Sequence, residues 1–148
     1  MTRASIRVLV FEDKPDIADL MVRLLHHLGY DASHEKSVNR AIERLMQERF
    51  SILVADIFYG SRLTESSKTG LLLIRKVKLR SVSPAFKSRG IGIVATSGAV
   101  IDAQGNDVEE EAMKAGAALF ASKPISAKRL SELLQSVLSE RAASEIDN

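Results

Sequence analysis

The chain has 148 residues, a formal net charge of +2 and no cysteine. The length fits one domain, and the absence of cysteine excludes disulfides, thiolate metal sites and cysteine nucleophiles. Because the first apolar run, residues 6–11, is too short for a signal-peptide core or a membrane span and no later run approaches one, we expect a cytoplasmic protein.

The first half of the chain alternates short apolar runs with longer amphipathic segments. Residues 6–11 are nearly continuously apolar, as expected of a strand covered on both faces. A helix is predicted over residues 15–27, with a proline in its first turn. Residues 30–35 predict a weaker second strand, and a serine can cap the next helix over residues 37–48. Residues 51–55 predict the third strand.

The second half begins with a polar loop over residues 60–69 and then continues the alternation. Asn106 and Glu109 resemble a capping box, and Ser126 can cap the last helix. We expect one domain over residues 1–141 and a disordered tail over residues 142–148. The remaining elements are predicted as helix 70–79, strand 91–96, helix 106–115, strand 118–121 and helix 126–140.

Five strand-then-helix repeats predict a parallel sheet with helices on both faces and right-handed crossovers. Ligands of such sheets bind beyond the carboxyl ends of the strands. Four predicted strands end in polar residues, which we therefore expect at one edge of the sheet. They are Glu12 and Asp13 after strand 1, Asp56 after strand 3, Thr96, Ser97 and Gly98 after strand 4, and Ser122, Lys123 and Pro124 after strand 5.

Three carboxylates at one edge need compensating charge. Two of them about 4 Å apart repel by about 4 kcal/mol at an effective dielectric constant near 20. Either their pKa values rise or cations enter the site. Lys123 supplies one positive charge, and one divalent cation would neutralise the remainder. Because the available ligands are all oxygen atoms, Mg²⁺, Mn²⁺ or Ca²⁺ is favoured over zinc, and Mg²⁺ suits an open edge site.

Four segments in the same order resemble the response-regulator receiver domains of two-component signalling. Residues 8–16 resemble the opening strand and acidic pair, and residues 52–56 resemble the strand that ends in the phospho-acceptor. Residues 93–98 resemble the strand that ends in a switch hydroxyl. Residues 115–124 resemble the final signature, an aromatic residue three positions before Lys-Pro. The resemblance implies a flavodoxin-like, doubly wound (βα)5 fold with strand order 2-1-3-4-5.

The resemblance also implies how the carboxylates act. Asp56 would attack a phosphorus atom and become an acyl phosphate. Glu12 and Asp13 would hold Mg²⁺ together with the Asp56 carboxylate and the backbone carbonyl of Phe58. Taken singly, Glu12 and Asp13 could instead complement the dipole of the following helix.

Three further residues would complete the mechanism. Lys123 would contact a phosphoryl oxygen, and Ser97 would turn its hydroxyl toward the phosphate. Phe120 would be the aromatic switch that moves inward as Ser97 swings. Thr96 is the alternative switch hydroxyl, but Gly98 directly after Ser97 favours Ser97.

The segment after Asp56 departs from the family pattern. It lacks the usual proline, and it runs several residues longer before Gly70. We hypothesise that the bulky Phe58 and the small Ala99 alter how fast water reaches the acyl phosphate. An aspartate-nucleophile phosphatase would need a second aspartate two residues after Asp56, where Phe58 stands, so that class is disfavoured.

The predicted function is that of a single-domain response regulator, phosphorylated by a histidine kinase or a histidine phosphotransfer protein. It would not be an enzyme beyond self-catalysed phosphoryl transfer and slow autodephosphorylation. The family implies that helix 4, strand 5 and helix 5, residues 107–140, dock a protein target or a second copy. The alternative is a pseudo-receiver that acts without phosphorylation.

The region from Ser66 to Ile101 contains no acidic residue. Such a basic stripe can attract nucleic acid or an acidic partner. A solvated helix face is the more frequent explanation of a charge run, so nucleic-acid binding is not expected. The basic residues of the stripe are Lys68, Arg75, Lys76, Lys78, Arg80, Lys87 and Arg89.

Overall fold

The computed structural model describes residues 6–58 and 68–147, with side chains described as far as residue 140. Five parallel strands form one sheet in the order β2-β1-β3-β4-β5, which confirms the predicted fold class and strand order. The strands are β1 Arg7–Phe11, β2 Asp31–Glu35, β3 Ile52–Asp56, β4 Gly92–Ser97 and β5 Leu119–Ser122. The helices are α1 Pro15–His27, α2 Val38–Gln47, α3 Thr69–Arg80, α4 Val108–Ala115 and α5 Ala127–Asp147.

Helices cover the sheet on both faces. Successive side chains of each strand point to opposite sides of the sheet and therefore belong to two different cores. In β1, Leu9 and Phe11 join the core that the sheet shares with α2, α3 and α4. Val8 and Val10 join the second core, which lies toward α1 and α5. This arrangement explains why the central strands read as continuous apolar runs, and it leaves the strand ends as the place for polar groups.

Two predicted helix caps are confirmed and one is wrong. Ser37 Oγ accepts from the Arg40 N–H at 3.3 Å, and Ser126 Oγ accepts from the Arg129 N–H at 3.1 Å. The capping box proposed for Asn106 and Glu109 does not form, because Asp107 is the N-cap of α4. Its carboxylate accepts from the Glu110 N–H at 3.0 Å.

The last helix continues beyond its predicted end at residue 140. Its backbone is helical as far as Asp147, so the tail expected from residue 142 onward is helical over residues 142–147. Residues 141–147 include two alanines, one arginine and one glutamate, which favour helix, and neither glycine nor proline stops it. The domain boundary at residue 141 stays a prediction.

The long loop after β3 is described only in part. Of the loop predicted over residues 60–69, residues up to 67 lie outside the described residues, and α3 begins at Thr69. In the part of the chain that the structure describes, no helix is long and apolar enough to cross a membrane.

Candidate functional site

The carboxyl ends of four strands meet at one edge of the sheet. Phe11 is in register with Ala55, and Asp56 with Thr96. Ser97 is in register with Ser122. The residues that end or directly follow these strands are therefore neighbours in space although they lie far apart in sequence.

The predicted acids and the predicted lysine converge at this edge. One carboxylate oxygen from each of Glu12, Asp13 and Asp56 lies within 4.8 Å of the others. Lys123 Nζ donates to Glu12 Oε1 at 2.7 Å and lies 3.4 Å from Asp56 Oδ2. The spatial condition of the sequence hypothesis is thereby met. The roles of the individual residues stay predictions.

Burial and charge act differently on the two buried carboxylates. Burial raises the pKa of Asp56 to about 7, opposed by the positive charge of Lys123 and aided by the negative charge of Glu12. Burial would also raise the pKa of Glu12. The hydrogen bond and charge of Lys123 outweigh it there, and the pKa of Glu12 lies below its usual value. Lys123 therefore compensates mainly Glu12, and the charge of Asp56 is only partly balanced.

The acidic loop after β1 is fixed by backbone contacts. Glu12 Oε2 accepts from the N–H groups of Asp13 and Lys14 at 3.1 and 3.4 Å. His34 on the edge strand β2 donates from Nε2 to the Glu12 carbonyl at 3.1 Å, since a carbonyl can only accept. No sequence pattern around His34 indicates this contact, and only the register of β1 and β2 places it beside this loop.

Gly70 packs against the end of the acceptor strand. A Cβ at this position would lie 1.8 Å from the backbone oxygen of Asp56, so no side chain fits there. The Gly70 N–H donates to the Ile57 carbonyl at 3.1 Å. In the sequence, Gly70 is recognisable only as the end of a long loop. The absence of a side chain at this position lets the first turn of α3 pack directly against the end of β3.

The two predicted switch residues, Ser97 and Phe120, have different surroundings. Ser97 is fully buried, and its Oγ donates to the Ala99 carbonyl at 2.7 Å and accepts from the Ala99 N–H at 3.0 Å. The Ser97 carbonyl accepts from the Lys123 N–H at 2.8 Å. Phe120 is partly buried against the core on the α2, α3 and α4 side. The hydroxyl is thus held by its own loop in this structure.

Phe58 has a buried side chain that belongs to the same core, with 5% of the residue exposed. Its place two residues after Asp56 is compatible with a backbone carbonyl ligand. That carbonyl and the hypothesis that Phe58 controls water access both stay predictions.

The acidic pocket fits a divalent cation on its own chemistry. Three carboxylates face one ammonium group, which leaves a formal excess of two negative charges. Burial, aided by the negative charge of Glu12, raises the pKa of Asp56 to about 7, and a bound cation would favour its ionised form. An oxygen-only donor set with this excess suits Mg²⁺ or Ca²⁺. Together with a carboxylate nucleophile, such a site can perform phosphoryl transfer.

A second charge cluster lies at the start of α3, and no sequence pattern predicts it. Lys68 Nζ donates to Asp102 Oδ2 and to both oxygens of Glu111, the latter at 3.0 and 3.1 Å. The side chain of Lys68 is 3% exposed. Asp102 also accepts from the N–H groups of Gln104 and Asn106 at 2.9 and 2.8 Å. The cluster ties the start of α3 to the β4–α4 loop and to α4.

The chain is similar in sequence to a known response regulator. No family model matches the chain. The response regulator protein PilR of Pseudomonas aeruginosa is 31% identical over 133 residues, which cover 89% of the chain and 26% of that protein. The chain therefore spans about a quarter of the length of this curated relative.

Two solved structures share the fold. A CheY-like response regulator receiver domain protein from Methanospirillum hungatei matches with a TM-score of 0.73 and 21% identity, covering 94% of this chain and 98% of that one. A response regulator protein from Burkholderia pseudomallei matches with a TM-score of 0.68 and 24% identity, covering 97% and 75%. The latter structure contains a phosphorylated aspartic acid, a calcium ion and citrate.

Proposed function

Because the chain belongs to the response-regulator receiver domains, we propose that it accepts a phosphoryl group on Asp56 and changes conformation as a result. The observation that carries the proposal is the position of Lys123, whose Nζ lies 2.7 Å from Glu12 and 3.4 Å from Asp56 in a pocket with Asp13. Receiver domains are signalling modules rather than enzymes, so the transfer serves as a switch.

Asp56 is the group we expect to form the new bond. A carboxylate oxygen of Asp56 attacks phosphorus while the bond from phosphorus to the nitrogen of a phosphohistidine donor breaks, and the donor imidazole takes up a proton. The attacking group must be ionised, and its pKa of about 7 makes this sensitive to the charges around it. Lys123 is placed to donate to a phosphoryl oxygen, since its ammonium already lies beside Asp56.

Glu12, Asp13 and Asp56 are the side chains that would hold Mg²⁺, with the Phe58 carbonyl as a further ligand. Bound there, the metal supplies positive charge for the phosphoryl oxygens. The Burkholderia pseudomallei relative, whose structure holds a phosphorylated aspartic acid and a calcium ion, supports this choice of acceptor and of cation class.

The conformational response would begin at Ser97. A phosphate on Asp56 adds strong hydrogen-bond acceptors near β4. They can draw the Ser97 hydroxyl away from Ala99, which holds it at 2.7 Å here. Phe120, partly buried next to β4, would then repack inward. The two packings need differ by only a few kcal/mol for phosphorylation to shift their populations.

The donor and the output are further parts of the proposal. We propose a histidine kinase or a histidine phosphotransfer protein as donor. The surface of α4, β5 and α5 would dock a protein target or a second copy of the chain. The protein would act in the cytoplasm.

The test is phosphorylation by a small-molecule phosphodonor with Mg²⁺, followed by intact-mass and peptide mass spectrometry. Wild type should gain the mass of one phosphoryl group on Asp56, and omission of Mg²⁺ should abolish the gain. Asp56→Asn should gain nothing, whereas Asp16→Asn, an exposed acid of α1, should behave as wild type. Absence of any mass gain in folded wild type would favour the pseudo-receiver alternative.

A further inference from the structure

The outward face of α3 exposes large apolar side chains. Leu72 is 44% exposed and Leu79 is 75% exposed. They stand seven residues apart, two helical turns, and therefore share one side of the helix. Val82, in the turn after α3, is 85% exposed. Single exposed leucines are ordinary, but aliphatic side chains of this size along one side of a helix form a candidate contact surface.

A groove runs between this face and α4. Its volume is about 420 Å³, and it is lined by Arg75, Lys78, Leu79, Lys114 and Ala115. Gly116, which directly follows α4, lets Lys78 approach the end of that helix, because a Cβ on Gly116 would lie 2.3 Å from Lys78 Cγ. The aliphatic part of Lys78 therefore crosses the end of α4. The groove is therefore concave and partly apolar, and cationic side chains line its sides.

Arg75 and Lys78 of this surface form no ion pair with an acidic side chain among the described residues. Ion pairs occupy Arg44 on α2 and Arg129 on α5, but none joins Arg75 or Lys78 to a carboxylate among residues 6–58 and 68–140. Lys114 pairs with Glu110 at 3.2 Å on the solvent side of α4. Uncompensated positive charge around an aliphatic centre favours binding of a negatively charged partner.

The composition favours a protein over a nucleic acid as that partner. Nucleic-acid surfaces use aromatic stacking and polar contacts to phosphates and bases. Here the centre is aliphatic, and the aromatic residue that follows α3, Phe86, is fully buried. An apolar centre with a charged rim is the usual anatomy of a protein interface. A groove beside a helix suits an amphipathic helix.

We infer that the surface formed by Leu72, Arg75, Lys78, Leu79, Val82 and Lys114, hereafter the α3 surface, binds an acidic amphipathic segment of a partner protein. Leucine-type side chains of the segment would pack on Leu79 and Val82, and its carboxylates would meet Arg75 and Lys78. The surface lies outside the α4, β5 and α5 surface proposed for the output, apart from Lys114. The inference does not depend on phosphorylation of Asp56.

The test is titration of the isotope-labelled full chain with a synthetic helical peptide, followed by NMR chemical shifts. The peptide has about four turns, with leucines at helical spacing and glutamates on both flanks. We expect saturable binding with a Kd below about 1 mM and shift changes confined to residues 72–82 and 113–116. Binding should weaken as salt is raised, because the charged rim contributes.

Matched variants separate the α3 surface from general charge. The double variant R75E/K78E should weaken peptide binding at least about tenfold, and Leu79→Ser at least about threefold. The control R23E/R40E makes the same change of charge on exposed residues of α1 and α2, outside both proposed surfaces, and should leave the Kd within about twofold. These sites are exposed, so the variants should keep the wild-type melting temperature.

Three results would overturn the inference. The first is absence of shift changes at millimolar peptide. The second is binding that the control variant weakens as much as R75E/K78E does. The third is tighter binding of a short DNA duplex or of phosphatidylglycerol vesicles, lost in the same R75E/K78E variant, which would assign the α3 surface to nucleic acid or to membrane lipid.

Discussion

Two charge clusters of this fold differ in how well their carboxylates are compensated. The acidic site, formed by Glu12, Asp13, Asp56 and Lys123, gathers three carboxylates around one ammonium group. The lysine triad, formed by Lys68, Asp102 and Glu111, gathers two carboxylates around one ammonium group and adds backbone N–H donors to Asp102.

The difference shows in the aspartates. Burial raises the pKa of Asp56 to about 7, since Lys123 is shared with Glu12. The hydrogen bond with Lys68 holds the pKa of Asp102 well below its usual value, with help from Asn106 and Gln104. One aspartate is held in a costly ionised form and is suited to react or to bind a cation. The other is satisfied and is suited to hold two loops together.

The lysine triad should therefore contribute strongly to stability, which Lys68→Met tests. Methionine keeps the length of the side chain but leaves Asp102 buried without its cation. We expect a fall in melting temperature of roughly 10 °C. The control is Lys114→Met, which removes the exposed ion pair with Glu110 and should change the melting temperature by less than about 2 °C. Equal effects of the two variants would contradict the proposed difference between the clusters.

The acidic site should show the reverse effect, because its charge is unfavourable to folding. Asp56 has a pKa of about 7 in the folded protein against 3.8 for the ordinary group. The folded state therefore binds this proton more tightly, and its stabilising effect, complete below about pH 4, is lost as the pH rises through about 7. At pH 8 without divalent metal, Asp56→Asn should stabilise the fold by roughly 2 kcal/mol.

Thermal melts in a chelator at pH 8 and pH 5 measure this effect. The gain of Asp56→Asn over wild type should shrink at pH 5, where wild-type Asp56 is protonated, and should shrink at pH 8 when Mg²⁺ is added. Asp16→Asn, an exposed acid of α1, is the matched control and should show no such dependence. A lower melting temperature for Asp56→Asn than for wild type at pH 8 would refute the view that this charge is costly.

Sequence reasoning found the acidic site and missed the lysine triad for a physical reason. The ends of parallel strands converge by topology, so Glu12, Asp56 and Lys123 could be placed together without knowing any loop path. Lys68 and Asp102 lie in loops, whose course depends on packing rather than on apolar periodicity. Nothing in the spacing of these two residues predicts their ion pair, because they are 34 positions apart.

The same distinction explains the misplaced cap of α4. Asn106 and Asp107 are both good N-cap residues and differ by one position. Asn106 donates its backbone and side-chain N–H groups to Asp102 at 2.8 and 3.3 Å, which leaves Asp107 to cap the helix. Gly70 likewise reads as an ordinary loop glycine until the Asp56 carbonyl is seen to fill the space of its Cβ.

The smallest effect we expect is the coupling between proton and metal at the acidic site. Protonation of Asp56 competes with Mg²⁺ binding, so metal affinity should rise by up to about tenfold per pH unit below pH 7 and level off above it.

Because the chain has no tryptophan, isothermal titration calorimetry is the suitable measurement. Proton release, read from the dependence of the heat on buffer, should fall as the pH passes 7. Lys68→Met alters only the lysine triad, so it should leave the pH profile of binding at the acidic site unchanged at temperatures where the variant is folded. A profile without a break near pH 7 would mean that Asp56 does not contribute its carboxylate to the metal.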